Sequence, residues 1–176
     1  RGVPEKVTRI AGMLKQRYNL HEGSIKRLKR DKKMIKHFFD VYNDSFADSV
    51  YNFIPFTDEE VQEEAKAAMK FLNDKTSVII LDDNNRPVAF GIAFPTISRA
   101  LQKAKGKLFP FGWYHIWKAA HTLDTVDLML NGAVPEWQNT GVSAVYHCAI
   151  SERCIKYGTH WAIANPQIES NGAVNV

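Results

Sequence analysis

The stretch DTVDLMLNGAVPEWQNTGVSAVYHCAISERCIKY, residues 124–157, decides how the rest of the chain is read. It opens as a strand, breaks at Pro135, crosses a polar turn from Gln138 to Ser143 and re-enters as a helix. A strand–turn–helix of this kind leaves main-chain N–H groups unpaired at the helix start, beside the positive end of the helix dipole. That corner suits an anion, best a phosphate or diphosphate. Gly141 fits because a phosphate must approach the main chain closely and a Cβ would obstruct it. The turn is no Walker loop, since no Gly-Lys-Ser/Thr follows, and no dinucleotide fingerprint, since the three-glycine spacing is absent. Ligand-free α/β proteins also use strand, glycine turn and helix, so pattern alone leaves both readings open.

The segment from Gly132 to Ala144, GAVPEWQNTGVSA, resembles the acyl-CoA-binding signature of the GNAT superfamily of acyltransferases. Ala133 or Val134, Pro135, Glu136, Trp137, Gln138 and Gly141 match it. Ser143 stands where Gly or Ala is usual, and Asn139 and Thr140 where many members carry basic residues or glycine. GKLFPFGW at residues 106–113, the helix from Pro95 to Leu101, and NPQIESN at residues 165–171 are similar to the C-terminal half of a group of bacterial tandem GNAT-like proteins. The resemblance implies an α/β (α+β) fold with a mixed, mostly antiparallel sheet, flanking helices, and fourth and fifth strands that splay apart. It implies acetyl-CoA or another acyl-CoA as co-substrate, an amine acceptor, and a partner in the N-terminal half of a parent chain. Pantetheine would lie in the splay, pairing with Ala133 and Val134. The amides of Gln138, Asn139, Thr140, Gly141, Val142 and Ser143 would hold the diphosphate, and Asn171 would meet the pantetheine arm. The family's last helix and final hairpin would lie beyond Val176.

At 176 residues, the length is that of a single domain, with residues 1–22 as a linker helix and 23–176 as the acyltransferase-like unit. Hydrophobic and charged fractions of 45% and 24% are those of an ordinary globular protein. No apolar run is long enough to span a bilayer, and no membrane partner is expected. Net charge is +4, with much of it in KRLKRDKKMIK at residues 26–36. Ile25, Leu28 and Ile35 keep a core-facing rhythm through that run and no aromatic interleaves with it, so a solvated face is favoured over a nucleic-acid site. Cys148 and Cys154 fit neither a metal pair nor a redox pair, and free thiols suit the cytoplasm. His115, His121, His147 and His160 lack the i, i+4 spacing of a helical metal site, and no metal is expected.

Val7, Ile10, Ala11, Leu14 and Tyr18 make a helical stripe, and residues 24–30 read as a first strand. Asp31 caps a helix burying Ile35, Phe38, Phe39, Tyr42 and Phe46. In the aromatic loop at residues 49–56, Tyr51, Phe53 and Phe56 line an acceptor pocket or form a lid packed on the core. Thr57 and Glu60 make a capping box for a helix that buries Val61, Ala65, Ala68 and Leu72. Two apolar strands joined by DDNNR at 82–86 form a hairpin. Two helices then precede the fourth strand and gather Phe109, Phe111, Trp113, Tyr114 and Trp117, with core packing as the default and an apolar pocket or an interface as alternatives.

In the fourth strand, alternation sets Val126, Leu128 and Leu130 on one face and Asp127, Met129 and Asn131 on the other. Gly132 marks a bulge. Amine acylation needs a general base and an acid for the thiolate. Asp127 is the first candidate base and Asp124 the second, although either fits equally a strand-end charge paired with a cation. Glu136 fixes the loop, and Tyr146 and Tyr157 are packing residues. The family's tyrosine acid would fall past the end of the sequence.

Overall fold

Two apolar runs, β2 (Ser77–Leu81) and β3 (Pro87–Pro95), pair antiparallel at the centre of a five-stranded sheet. Their turn closes through Asp82, whose carboxylate accepts from the amides of Asn84 at 2.9 Å and Arg86 at 2.8 Å. A computed structural model of the chain describes residues 2–47, 53–61, 63, 69 and 72–164. β1 (His21–Gly23) lies antiparallel on β2, β4 (Thr125–Ala133) antiparallel on β3, and β5 (Trp161–Ala164) parallel on β4, in the spatial order β1-β2-β3-β4-β5.

Helices cover both faces. α1 (Glu5–Arg17) and α6 (Val142–Lys156) lie on one, where Ala11, Val145, Cys148 and Ala149 share a core with Val78, Ile80, Ala89 and Val126. α3 (Lys32–Phe46) lies on the other, with Phe38 and Phe39 against Ile79, Phe90 and Ile92. Phe90 is fully buried, and truncation to Ala there would cost about 3–5 kcal/mol. The first helix thus packs into this body: Leu14 and Val7 join the α6-side core and Tyr18 meets Trp137 edge-on at 5.2 Å.

The first strand is displaced from its expected place. Residues 21–23 form β1, whereas Ile25–Leu28 form a short helix, α2, capped by Ser24, whose hydroxyl accepts from the Arg27 amide at 3.4 Å. Ile25 and Leu28 are both buried and stand three apart, which is helical spacing; a strand would have turned them to opposite faces. Asp31 does cap α3, accepting from the amides of Lys33 at 2.9 Å and Met34 at 3.2 Å. In the stripe that follows, Phe38 and Phe39 are buried as expected and Ile35, Tyr42 and Phe46 are half-buried. The capping box forms in both directions, Thr57 N to Glu60 Oε2 at 2.8 Å and Glu60 N to Thr57 Oγ1 at 3.3 Å. Val61 and Leu72 are buried; Ala65 and Ala68 lie outside the described residues. After β3 come α4 (Ser98–Ala104) and α5 (Gly112–Ala120), a helical hairpin leading into β4.

Candidate functional site

The site is built on an irregularity in β4. Along its pairing with β3, Ile92 faces Leu130 and the next residue, Ala93, faces Leu128, so Met129 is an extra residue. The bulge is therefore at Met129 and not at Gly132, which pairs regularly with Phe90. Gly132 has another purpose: a Cβ there would sit 2.7 Å from the Ser45 Cβ on α3, so the helix crosses the strand where no side chain fits. The extra residue also reverses the strand's phase. Val126 and Ala133, an odd number of positions apart, both belong to the α6-side core. Leu130 consequently shares the α3 face with Asp127, and Asn131 the α6 face with Val126, opposite to strict alternation.

The parallel ladder to β5 ends at the pair Leu128–Ala164, one residue before the bulge, and no described residue continues it. Among the described residues, which stop at Ala164, none pairs with β4 on that side from Met129 onward. The Val134 amide donates to Val88 O at 3.0 Å, and Val134 O accepts from the amides of Trp137 and Gln138. Neither group of Val134 is left for a pantetheine arm, contrary to expectation. By the alternation of an antiparallel pair, the peptide groups that face the β5 side are those of Asn131 and Ala133. Gln138 Nε2 donates to Ala133 O at 3.0 Å, so that side keeps the Ala133 amide and both main-chain groups of Asn131, with no described residue paired to them. Asn131 is not among the residues expected from sequence because a one-residue bulge moves it; the signal was the unbroken apolar run Leu128-Met129-Leu130 in an otherwise alternating strand.

A 3-10 turn, Pro135–Trp137, then carries the chain into the loop before α6. Half of the loop's amides are spent internally. Gln138 N reaches Val134 O, Thr140 N reaches Trp137 O at 3.4 Å, and Val142 N reaches Thr140 Oγ1 at 3.4 Å. Among the described residues the amides of Asn139, Gly141 and Ser143 meet no acceptor, so three donors rather than six are open at the start of the helix. Gly141 is required by its backbone, at φ +86°, and the side where its Cβ would point is occupied by Leu14 at 3.4 Å. Asn139 is likewise left-handed, at φ +61°. The Arg17 guanidinium lies over the Tyr18 ring at 5.2 Å, and that ring packs on Trp137, so α1 brings a cation beside a loop that has none of its own.

Asp127 sits half-buried on the α3 face two residues before the bulge, and its Oδ1 accepts from Thr96 Oγ1 at 2.7 Å. Asp124 is exposed and paired with His160 at 2.7 Å; that hydrogen bond holds its carboxyl below the usual range. Tyr146 is buried, and burial pushes its phenol up to about 12, as befits a packing residue. Phe56 and Phe53 pack on Tyr42 of α3 at 5.6 and 5.7 Å, the arrangement of a lid; Tyr51 lies outside the described residues, as does Asn171. On the α3 side of the β4 end, a recess of about 430 Å³ is lined by His37, Asp40, Asp44, Arg86 and Val134. Burial raises the Asp44 carboxyl pKa there, and Asp40 and Glu136 add like charge. Core packing does not hold for the second aromatic group, since Phe109, Phe111, Trp113, Tyr114 and Trp117 are all exposed. Among the described residues no group of three His, Cys, Asp or Glu could hold a metal ion, and no helix is long and apolar enough to cross a membrane.

No protein-family model matches the chain. Protein YghO of Escherichia coli (strain K12) is 29% identical over 97 residues, a match that takes in 54% of this chain but a quarter of that protein's length. Among solved structures, AAC(6')-Iy in complex with the bisubstrate analogue CoA-S-monomethyl-acetylneamine superposes with a TM-score of 0.51 at 10% identity, over 89% of this chain and 84% of that one. L-PGS from Bacillus licheniformis superposes with a TM-score of 0.52 at 9% identity, over 97% of this chain and 43% of that one. With its mostly antiparallel five-stranded sheet, its bulged β4 and these structural neighbours, the chain has a GNAT-like fold.

Proposed function

We propose that the chain is an acyl-CoA-dependent N-acyltransferase of the acetyl type, acting on an amine. The observation that carries the reading is the conjunction at the end of β4. A stretch of β4 with no neighbour among the described residues, bearing the Ala133 amide and the main chain of Asn131, leads directly to the amides of Asn139, Gly141 and Ser143, which meet no described acceptor. That stretch suits the paired amides of a pantetheine arm, and the loop suits a diphosphate at a helix N-terminus. The neighbour solved with a CoA-linked bisubstrate analogue supports the same choice of co-substrate.

The residues present would bind and orient; the chemistry of an activated acyl group comes with the thioester. A cationic amine must lose a proton before it attacks, and Asp127, hydrogen-bonded to Thr96 on the α3 face, is the carboxylate assigned that role. The recess beside Val134 offers an amine that arrives charged the carboxylates of Asp40 and Asp44, with Arg86 and His37 also in its lining.

A second reading has one observation in its favour. Asp127 is engaged by Thr96, and Asp124 by His160, so both carboxylates are accounted for as structural groups. The chain would then be an inactive half that binds ligand or supports a larger protein. A thermal shift with acetyl-CoA, together with release of free CoA across a panel of amines, separates the two. The enzyme reading expects stabilisation by acetyl-CoA and a turnover that falls by about 10² or more in Asp127→Asn. Stabilisation without turnover, or turnover indifferent to Asp127→Asn, would remove the base from the scheme. Absence of any shift would dispose of the site.

A further inference from the structure

The α4–α5 hairpin supplies none of the site residues named above, and it carries a dense group of exposed apolar side chains. At its tip Leu108, Phe109 and Phe111 are 56%, 80% and 70% exposed, and on α5 the stripe of Trp113, Tyr114 and Trp117 points outward as well. A cluster of this kind on a monomer marks a contact. Between Thr96 and Leu123 the chain carries Arg99, Lys103, Lys105, Lys107 and Lys118 and no Asp or Glu. All five cations are exposed, and none is in an ion pair with a described residue.

The tip is built rather than slack. Trp113 N donates to Leu108 O at 2.8 Å, Tyr114 N to Phe111 O at 3.1 Å, Lys107 N to Ala104 O at 2.9 Å, and the Trp113 indole to Pro110 O at 3.0 Å. A Cβ on Gly112 would overlap Lys107 O, so the loop closes on itself at a residue that admits no side chain. Much of the tip's hydrogen bonding is thereby satisfied internally, the condition for entering a medium that offers no partners. Apolar side chains project from it, lysines flank it, and Trp and Tyr sit a turn further back, where amphipathic rings suit a headgroup layer.

We propose that this hairpin docks the protein on an anionic lipid bilayer, with Leu108, Phe109 and Phe111 entering the acyl boundary and Lys103, Lys105 and Lys107 meeting the headgroups. The expectation of no membrane partner rested on the lack of a spanning segment, and surface docking needs none. Charge selects this occupant over a second copy of the chain, because two such surfaces would bring ten like charges together, five from each. Docking of this kind does not depend on the CoA site.

The test is cosedimentation with vesicles of phosphatidylcholine, with and without phosphatidylglycerol, read alongside the oligomeric state in solution. The expected result is partition onto the phosphatidylglycerol vesicles alone, falling about tenfold or more in F109S/F111S and in K103E/K105E/K107E. K32E/K33E, in the other basic run, should partition as the parent does. Quenching of tryptophan emission by brominated lipid in the unmodified chain gives the same answer without relying on a variant's folding. No partition and no quenching would overturn the proposal. So would partition that the tip variants leave unchanged, or a dimer abolished by F109S/F111S in a chain that ignores vesicles.

Discussion

Replacing Gly132 by Ala tests the placement of the β4 bulge through stability. Gly132 is not among the positive-φ residues, so its backbone is one that alanine can adopt. If conformation were the only issue, the substitution would stabilise by about 0.4–1 kcal/mol by restricting the unfolded chain. Crowding against α3 outweighs this gain. The new Cβ would lie 2.7 Å from Ser45 Cβ, 2.8 Å from Ser45 Oγ and 3.1 Å from Phe90 Cε1, in a place where all three atoms belong to buried side chains. Forcing one carbon into a packed contact costs about 1–3 kcal/mol, so Gly132→Ala should be destabilising by about 1–2 kcal/mol net. Ser45→Gly removes two of the three obstructing atoms. Alone it should cost about 1 kcal/mol, from glycine within a helix and loss of the Ser45 Oγ–Val41 O bond. In combination the pair should cost less than the sum, with a coupling of about 1 kcal/mol. Urea denaturation of the four proteins reads this as a shift in midpoint at constant slope. A Gly132→Ala protein within about 0.5 kcal/mol of the parent, or an additive cycle, would refute the close helix crossing.

The remaining predictions concern charges and the loop. Glu22 on β1 meets Lys15 of α1 at 2.9 Å and Arg153 of α6 at 2.6 Å; burial raises its pKa, but the two cations outweigh that and hold it below the usual 4.5. A depressed folded pKa gives stability that is present above the unfolded value and lost as pH falls through the folded one. Glu22→Gln should therefore cost about 1 kcal/mol at pH 7 and nothing near pH 2, and an equal cost at both would discard the assignment. Gly141→Ala, forced to φ +86°, should lose about 1 kcal/mol of stability and weaken the acetyl-CoA thermal shift, whereas an unchanged shift would detach the loop from ligand binding. Asp124→Asn removes an exposed partner of His160 and should change neither melting temperature nor CoA release; a marked loss of turnover would make Asp124 the base in place of Asp127.

What could be read from the chain before folding was whatever a few neighbouring residues decide among themselves. The Asp31 cap, the Thr57–Glu60 box, the Asp82 turn and the buried runs of β2 and β3 are all of this kind. The failures required a second element. Residues 24–30 look extended until Ser24 caps a single turn, and the aromatic group at 109–117 looks like core until the hairpin is seen to stand off the sheet. Likewise Gly132 looks like a bulge until α3 is laid across it. In the loop, the residue types pointed to the start of a helix, but which amides meet no described acceptor depended on Thr140 and Gln138 folding back.

The bulge at Met129 joins these observations into one cause. An extra residue sharpens the local twist of its strand, and the last pair with β5 among the described residues, Leu128–Ala164, comes immediately before it. Beyond that point β4 remains on β3 down to Ala133 and turns into the loop from Val134, so the stretch of β4 and the loop amides that no described residue pairs with lie in sequence along one piece of chain. The same residue reverses the strand's phase, which puts Asn131 and Ala133 on the α6 side while Asp127 stays on the α3 side. Asp127 and the side chains of Asn131 and Ala133 thus stand on opposite faces of one strand, a geometry that strict alternation from Thr125 onward could not supply.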